Sequence, residues 1–184
     1  MADDRTGARP PTGRPVLETA RLRLRELTEA DLDDMAALLG DPAVMAWYPA
    51  PKSRPEAAAW IARNRARYAA DGFGLWAVET TDGTFVGDCG LTVQEVGGRP
   101  QVEVGFHVRT ALQRRGYAAE AAAACRDLAW RLGVPHLIAI IHPENLASQR
   151  TAEKIGLQWE GEAEYQGRTC RIYGAAAPPG AHTL

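Results

Sequence analysis

The segment at positions 113–118, Gln-Arg-Arg-Gly-Tyr-Ala, has the residue types and the placement of an anion-binding loop. It follows an apolar strand pattern and leads directly into an alanine-rich helix pattern. Helix N-termini offer unpaired backbone N–H groups and the positive end of the helix dipole. Gly116 would let an anion approach the backbone closely, and Arg114 and Arg115 would add positive charge. This chemistry suits a diphosphate.

The same loop has a plain structural interpretation, a solvated arginine turn before an alanine-rich helix. It matches neither of the two common phosphate motifs, because no Gly-Lys-Ser/Thr is present and no GxGxxG follows a first strand. The formal net charge of the chain is −2. That charge gives no general attraction to nucleic acid or to an anionic membrane, so any anion site must be local.

A second candidate for chemistry is the carboxylate of Glu103. Residues 101–108 alternate, so that valines and Phe106 share one face of a strand while Glu103 and His107 share the other. Burial of Glu103 would raise its pKa toward a value useful to a base. The alternative is an exposed charge on a sheet edge. His107 lies about 13 Å farther along the strand, which is too far for a dyad and favours a structural or lining role.

Several other polar and aromatic residues have equally good structural explanations. Asn145 and Ser148 precede and enter a helix pattern, where capping and first-turn polarity suffice. Glu120 lies in the first turn of the alanine-rich helix, where an acidic side chain is favoured by the dipole. The aromatic side chains that could line an acceptor pocket, although buried packing explains each of them, are Trp47, Tyr48 and Trp76.

The elements that must position these residues change period along the chain. A first strand is expected at Leu22, Leu24 and Leu27, where arginines alternate with leucines. Two helices with capping-box starts follow, at Thr28/Asp31 and at Ser53/Glu56. An antiparallel run follows, and then a β-α-β-α ending with one or two further strands. The expected segments after the second helix are strands at 73–79, 84–93, 101–108 and 136–141 and helices at 117–131 and 146–155. This order predicts a mixed α/β or α+β domain.

The chain is predicted to form one domain with two tails. Its 184 residues, 46% of them hydrophobic, suit a single core. Residues 1–15 are expected to be a flexible tail, 16–174 the domain and 175–184 a second tail. No segment has membrane-spanning length or the apolar core of a signal peptide. The three cysteines are widely spaced and form no CxxC pair, which argues against a disulfide framework and against a zinc cluster. These are the signs of a reduced, cytoplasmic protein.

The chain resembles the GNAT superfamily of acyl-CoA N-acyltransferases through an ordered set of motifs. The loop at 113–118 resembles the family's Q/R-x-x-G-x-G/A signature. Four further resemblances extend the match over about residues 17–173. They are the L-x-T-x-R-L-x-L-R opening at 17–25, the IGxxGL and xEIGY strands at 87–91 and 102–106, and the PENxxS…EKxGF segment at 143–157. The opening is typical of the Rim-like branch, the ribosomal-protein N-terminal acetyltransferase type.

This resemblance implies a mixed, mostly antiparallel sheet of six or seven strands flanked by helices. Two central strands, 101–108 and 136–141, would splay apart, and the pantetheine arm of acetyl-CoA would lie between them. Backbone groups of Phe106 and Val108 and the side chain of Asn145 would bond the pantetheine. The residues that would hold the pyrophosphate are Gln113, Arg114, Arg115, Gly116, Tyr117 and Ala118. Acetyl-CoA is the implied co-substrate, and no metal is expected.

The resemblance also assigns the reaction and its residues. Glu103 would be the general base, and Ser148 would lie near the sulfur and help to protonate the departing thiolate. Many members carry a tyrosine general acid seven residues after the asparagine, but this chain has Ala152 there. Ser148 stands at the position where the Rim-like branch often has serine.

The expected function is transfer of an acetyl group from acetyl-CoA to a primary amine by direct attack in a ternary complex. The expected acceptor is a peptide or protein N-terminus or an amino acid. The alternatives are a small-molecule amine such as an antibiotic or polyamine, and a catalytically weak acyl-CoA-binding module. No nucleic-acid or membrane partner is expected, and a homodimer is compatible with the sequence.

Overall fold

Eight strands and four helices make up the computed structural model, which describes residues 13–180. Most of the predicted N-terminal tail and the last four residues lie outside the described residues. The strands are β1 Pro15–Glu18, β2 Leu22–Arg25, β3 Leu75–Thr80, β4 Phe85–Val96, β5 Arg99–Val108, β6 His136–Ile141, β7 Gln158–Tyr165 and β8 Arg168–Ala176. The helices are α1 Leu32–Gly40, α2 Arg54–Ala70, α3 Tyr117–Arg131 and α4 Leu146–Lys154.

The two predicted capping boxes are confirmed. Asp31 accepts a hydrogen bond from the backbone N–H of Thr28 at 2.7 Å, ahead of the short 3₁₀ turn that leads into α1. Glu56 accepts one from the backbone N–H of Ser53 at 2.7 Å at the start of α2. Each carboxylate satisfies a donor that the helix leaves unpaired. The cap residues therefore fix where the 3₁₀ turn before α1 and the helix α2 begin.

The strands form one open sheet in the order β1-β2-β3-β4-β5-β6-β8-β7. Every described pairing is antiparallel except that of β5 with β6. The sheet is mixed and mostly antiparallel, as predicted, but it has eight strands instead of six or seven. The additional strand β1 has only four residues, and a register shift separates Pro15 from Leu17. Such a short segment carries no alternation that sequence reading could detect.

The C-terminal boundary also differs from the prediction. Strand β8 runs to Ala176, which pairs with His136 of β6. The chain thus stays in the sheet two residues beyond the predicted domain end at 174. The residues at 174–176 are small and show no apolar alternation from which a strand could be predicted. Backbone hydrogen bonds to β6 hold this end of β8 in the sheet.

Strands β5 and β6 diverge, as the resemblance implied. Their parallel pairing consists of Val102 with Leu137 and Glu103 with Ile138. Beyond Glu103, β5 continues to pair with β4 as far as Val108, but no described strand pairs with its other edge. The carboxyl ends of β5 and β6 therefore enclose a gap, and the N-termini of α3 and α4 follow at that end of the sheet.

The two faces of the sheet carry different layers. Helix α3 packs with Val104 and with the partly buried Val102, Phe106 and Val108, which confirms the predicted apolar face of β5. Helices α1 and α2 pack in a separate cluster with Ala77 and Phe85. Glu103, Gly105 and His107 alternate with the apolar set and so face the side of α1 and α2.

One predicted pocket residue belongs to the core. Trp76 is 1% exposed, and its ring stacks on that of Tyr68 with a centroid distance of 6.4 Å. It therefore cannot line an acceptor pocket. Buried packing, the other explanation of this aromatic residue, is correct.

Candidate active site

The loop between β5 and α3 is built for close approach to its backbone. Gly116 is the N-cap of α3 and adopts a left-handed φ of 85°. A Cβ at Gly116 would lie 3.3 Å from Nη2 of Arg21, a tight contact. The first helical hydrogen bond runs from the N–H of Glu120 to the carbonyl of Gly116 at 3.1 Å. Within the described chain, the amides of Arg115 to Ala119 bond no backbone acceptor, so they can meet an anion.

The arginines and Gln113 have distinct positions in this loop. Arg114 has a left-handed φ of 63°, which is unusual for a residue with a Cβ. Its exposed side chain makes no polar contact with the described residues. Arg115 donates to the carbonyl of Ala111 at 3.3 Å. The Gln113 side chain donates to the carbonyl of Val108 at 3.0 Å, so it fastens the loop to the end of β5.

A contact between distant segments holds the loop, and it was absent from the sequence prediction. Arg21 donates to the carbonyl of Arg115 at 3.0 Å and pairs with the Glu120 carboxylate at 2.6 Å. Thr19 donates to the other oxygen of that carboxylate at 2.6 Å. Partial burial opposes ionisation of Glu120, but the bonds from Thr19 and Arg21 outweigh it and hold the pKa below its usual range. Glu120 thus anchors the loop, in addition to its favourable place near the helix dipole.

The ring of Tyr117 completes this contact. The Arg21 guanidinium lies 4.8 Å from the ring centroid, within the range of a cation–π interaction. Arg21 and its partners in the loop are about a hundred positions apart in the chain, so no local pattern predicts their contact. The only sequence signal for Arg21 was its place in the motif at 17–25.

Helix α4 begins across the gap with Asn145 and Ser148. The side-chain oxygen of Asn145 accepts from the backbone N–H of Ser148 at 3.1 Å, so its capping role is confirmed. This bond leaves the Asn145 amide NH₂ available to a ligand. The Ser148 hydroxyl is half-buried and has no partner among residues 13–180. Ala152 is fully buried, so α4 offers no phenol at the position where many relatives of this kind carry one.

Glu103 lies on the face of β5 opposite α3, at the last pairing before the strands diverge. Its carboxylate accepts from Thr92 at 3.2 Å, and Gln94 donates to the same Thr92 oxygen at 3.1 Å. Burial raises the pKa of Glu103 to about 7, against the lowering effect of the hydrogen bonds from Thr92 and Gln94. The alternative of an exposed charge on a sheet edge is wrong, since β5 is a central strand.

His107, predicted to be structural or lining, is buried on the same face and is bonded through both ring nitrogens. Nδ1 lies 2.7 Å from a carboxylate oxygen of Asp88, and Nε2 lies 2.7 Å from the hydroxyl of Tyr48. The indole N–H of Trp60 donates to the other Asp88 oxygen at 2.9 Å. The sequence prediction did not include Asp88. The only available signal was its cross-strand pairing with His107, which requires the register of β4 and β5.

Three further observations concern metal ligands, cysteines and membrane-spanning helices in the described residues. Residues 13–180 contain no group of three or more His, Cys, Asp or Glu side chains placed to hold a metal ion. The cysteines are buried and unpaired, as expected, and the sulfurs of Cys89 and Cys125 lie 3.7 Å apart. In the same range, no helix combines the length and the apolar character that crossing a membrane requires.

A cavity of about 520 Å³ lies away from this site. It is lined by residues 99–102 of β5 and 132–136 before β6. These are the amino ends of the two strands, whereas the loop and the α4 N-terminus are at the carboxyl ends. The cavity therefore has no part in the arrangement described above.

Splayed parallel strands, an amide-lined helix start beside them and a partly buried carboxylate at the point of divergence define the acyl-CoA-dependent acyltransferase class. A family model, the acetyltransferase (GNAT) domain, matches residues 21–158. The chain belongs to the GNAT acetyltransferase family, and it is an enzyme that uses acetyl-CoA.

Individual relatives agree with this assignment. The uncharacterized protein YkkB of Bacillus subtilis (strain 168) is 32% identical over 160 residues, which cover 85% of this chain and 93% of YkkB. The crystal structure of an acetyltransferase from Agrobacterium tumefaciens str. C58 is 27% identical with a TM-score of 0.76, covering 86% of this chain and 92% of that one. RimL, a ribosomal L7/L12 α-N-protein acetyltransferase in complex with coenzyme A, shares the fold. It is 17% identical with a TM-score of 0.72, covering 89% and 98%.

Proposed function

We propose that the chain transfers the acetyl group to the primary amine of a peptide or protein N-terminus or of an amino acid, by direct attack in a ternary complex. The observation that carries the proposal is Glu103, a partly buried carboxylate whose desolvation raises its pKa to about 7. An amine attacks a thioester only as the neutral base, and a free aliphatic amine is mostly protonated at pH 7. A proton acceptor with a pKa near the working pH is what this step needs.

The residues around the gap fit acetyl-CoA. The unbonded amides at 115–119 and the left-handed Gly116 suit a pyrophosphate, and Arg114 and Arg115 supply positive charge. The unpaired edge of β5 offers the backbone of Phe106 and Val108 to the pantetheine amides. The Val108 carbonyl already accepts from Gln113, but a carbonyl can accept a second hydrogen bond.

Glu103 and Ser148 then have separate roles in proton transfer. Glu103 removes a proton from the attacking amine, and its partners Thr92 and Gln94 hold the carboxylate in place. The unpartnered Ser148 hydroxyl donates toward the leaving sulfur. Because a thiolate leaves readily, a hydrogen bond can suffice where other enzymes of this kind use a phenol. The free NH₂ of Asn145 holds the pantetheine chain beside it.

The charges around the acceptor side favour a single amine over a polycation. Three of the four aspartates at positions 31–41 are already engaged. Asp31 binds Arg25 at 2.8 Å, Asp33 binds Arg54 at 2.6 Å and Asp41 accepts from Thr110 at 2.6 Å. They therefore form no open acidic mouth of the kind that a polyamine or aminoglycoside would need.

Two positive groups lie beside Trp60, whose indole N–H bonds Asp88. Lys52 and Arg63 lie 5.6 and 5.3 Å from the ring centroid of Trp60, beside the Asp88–His107 pair. They would repel a second positive charge on the acceptor. We also place the reaction in the cytoplasm, where reduced thiols such as these three cysteines are the rule.

The test is a CoA-release assay with short peptides, free amino acids, polyamines and aminoglycosides at equal concentration. Turnover with peptides or amino acids is expected. Turnover with a polycation alone would overturn the acceptor assignment and favour the small-molecule alternative. Tight acetyl-CoA binding with no release for any amine would instead identify a weak acyl-CoA-binding module.

A further inference from the structure

Three polar side chains form a hydrogen-bonded line from the interior to the cleft surface. Asp88 on β4 is 0% exposed, His107 on β5 is 7% exposed and Tyr48, in the segment after α1, is 39% exposed. The two bonds that join them are both 2.7 Å long. A buried line that ends at an accessible hydroxyl is more than the packing of β5 requires.

The partners assign the protons in this line. Trp60 can only donate, so Asp88 accepts from it at 2.9 Å and accepts from His107 with its other oxygen. An ionised carboxylate has no proton to give, so Nδ1 of His107 carries the hydrogen. In the neutral ring Nε2 is then an acceptor, and the Tyr48 hydroxyl donates to it. The tyrosine oxygen keeps its lone pairs free toward the cleft.

Glu103 stands at the other end of the same strand face. Gly105 separates it from His107 along the strand, and Cδ2 of Leu75 lies 3.5 Å from where a Cβ of Gly105 would be. Groups on the neighbouring elements change the pKa of the Tyr48 hydroxyl. Burial raises its pKa, and so do the charges of Glu103, Asp88 and Tyr165. The cations Lys52 and Arg63 flank Trp60 on the side of α2.

We propose that Tyr48, positioned by His107 and Asp88, is a second proton acceptor for the attacking amine and faces Glu103 across Gly105. This proposal rests on the proposed amine acetylation. A protonated amine must lose two protons to become an amide, one before the N–C bond forms and one afterwards. Glu103 takes the first. When the C–S bond breaks, its electron pair goes to sulfur, which ends with one proton, and the other proton goes to solvent.

Tyr48 takes the second proton through its oxygen while its own hydrogen passes to Nε2 of His107. The imidazolium that forms lies against the Asp88 carboxylate, which stabilises it. After the transfer, Nε2 of His107 donates to the Tyr48 oxygen instead of accepting from it, and Nδ1 still donates to Asp88. Both 2.7 Å hydrogen bonds therefore persist, and no side chain has to move. Tyr48, the partly exposed residue at the end of the line, then returns the proton to solvent. His107 and Asp88 act through Tyr48 and are positioning residues.

The kinetic test is Tyr48→Phe, which keeps the ring and removes the hydroxyl. We expect turnover at pH 7 to fall on the order of 100-fold, with the KM for acetyl-CoA unchanged. The deficit should shrink as the pH rises above the pKa of the acceptor amine. A neutral amine has to lose only one proton, and Glu103 suffices for that.

The control variant is Tyr68→Phe, whose hydroxyl bonds only the backbone of Leu27 and Leu75. It should leave the shape of the pH profile unchanged. If Tyr48→Phe lost the same fraction of turnover at every pH, Tyr48 would only shape the pocket. If it lost no turnover, the proposed proton transfer through Tyr48 would also be wrong.

A measurement that does not depend on turnover is the ¹⁵N spectrum of the four histidines, with His107 assigned through His107→Gln. The expected neutral form carries its hydrogen on Nδ1. A neutral ring with the hydrogen on Nε2 would contradict the relay. If the wild-type enzyme acetylates no amine at all, the proposed function fails, while this tautomer can still be tested.

Discussion

At the scale of single residues, the proposed chemistry depends on the partial burial of Glu103, which disfavours its ionised form. Desolvation raises its pKa to about 7, while Thr92 keeps its carboxylate oriented. A carboxyl at its ordinary pKa would be a much weaker proton acceptor. The position of Glu103 at the last β5–β6 pairing puts the proposed base where the gap opens.

Glu103→Gln keeps the shape of the side chain and removes its basicity. We expect turnover at neutral pH to fall by roughly 100-fold or more, with little change in acetyl-CoA affinity. In the wild type, turnover should rise with pH through about 7 as Glu103 ionises. In the variant that step should vanish, and activity should recover only where the acceptor amine is itself neutral.

The matched control is Glu95→Gln on β4, an exposed carboxylate of the same sheet. Its pH–rate profile should coincide with that of the wild type. A Glu103→Gln profile that still rises through pH 7 would rule out Glu103 as the base.

Ser148→Ala removes the hydroxyl that we place beside the leaving sulfur. We expect a loss of roughly tenfold or less, because the lost group is one hydrogen-bond donor and a thiolate leaves without full protonation. The backbone N–H of Ser148 that bonds Asn145 is unaffected, so the α4 cap should persist. Steady-state kinetics beside a melting curve would check both statements. Complete loss of turnover in a folded variant would assign Ser148 a larger role.

At the scale of elements, the start of α3 and the strand β2 region form one unit. Arg21 reaches the Arg115 carbonyl and the Glu120 carboxylate, so the loop is held from outside as well as by its own turn. This anchoring supports a loop in which two residues, Arg114 and Gly116, lie in the left-handed region.

Gly116→Glu should abolish acetyl-CoA binding, because it puts a side chain and a negative charge where we place the pyrophosphate. Binding can be read as the rise in melting temperature on adding acetyl-CoA. The control is Gly133→Glu, which replaces a left-handed, exposed glycine at the other end of α3, with φ of 82°. Both variants should lose similar stability from the backbone strain, about 1 kcal/mol. Only Gly133→Glu should keep the protection, and the loop assignment fails if Gly116→Glu keeps it too.

Sequence reading predicted the elements better than the contacts between them. The caps of α1 and α2, the strand at 136–141 and the helix at 117–131 were predictable because each follows from neighbouring residues. The Arg21–Glu120 and Tyr48–His107 contacts join positions 99 and 59 residues apart, and no local pattern encodes such a pairing. Strand β1 was missed because four residues with a proline carry too little pattern.

At the scale of the whole molecule, a buried ionic cluster ties the first third of the chain to the sheet. Arg25 of β2 donates to Asp31 before α1 at 2.8 and 2.9 Å, and it also binds Glu79 of β3. Burial alone would raise the pKa of Asp31, but the bonds from Arg25 and Thr28 outweigh burial and lower it. The cluster therefore stabilises the folded state only while Asp31 is ionised.

The free energy of unfolding should accordingly fall as the pH drops below about 4. The folded-state pKa of Asp31 is below the unfolded one, so its contribution is complete above the unfolded value and disappears as the pH falls through the folded value. Denaturant titrations at a series of pH values would measure this. Asp31→Asn should lose on the order of 3 kcal/mol at pH 7 and show a shallower acid dependence. An unchanged acid slope in that variant would place the sensitive group elsewhere.

The divergence of β5 and β6 also has a consequence for the behaviour of the free protein in a crowded cell. Past Glu103 and Ile138, the two strands present main-chain edges to each other without a ladder between them. Open strand edges are templates on which other chains can add and aggregate. The co-substrate arm that we place in this gap carries amides of its own and would act there as a short substitute strand. Supply of acetyl-CoA would thus protect the enzyme against self-association as well as provide its acetyl group.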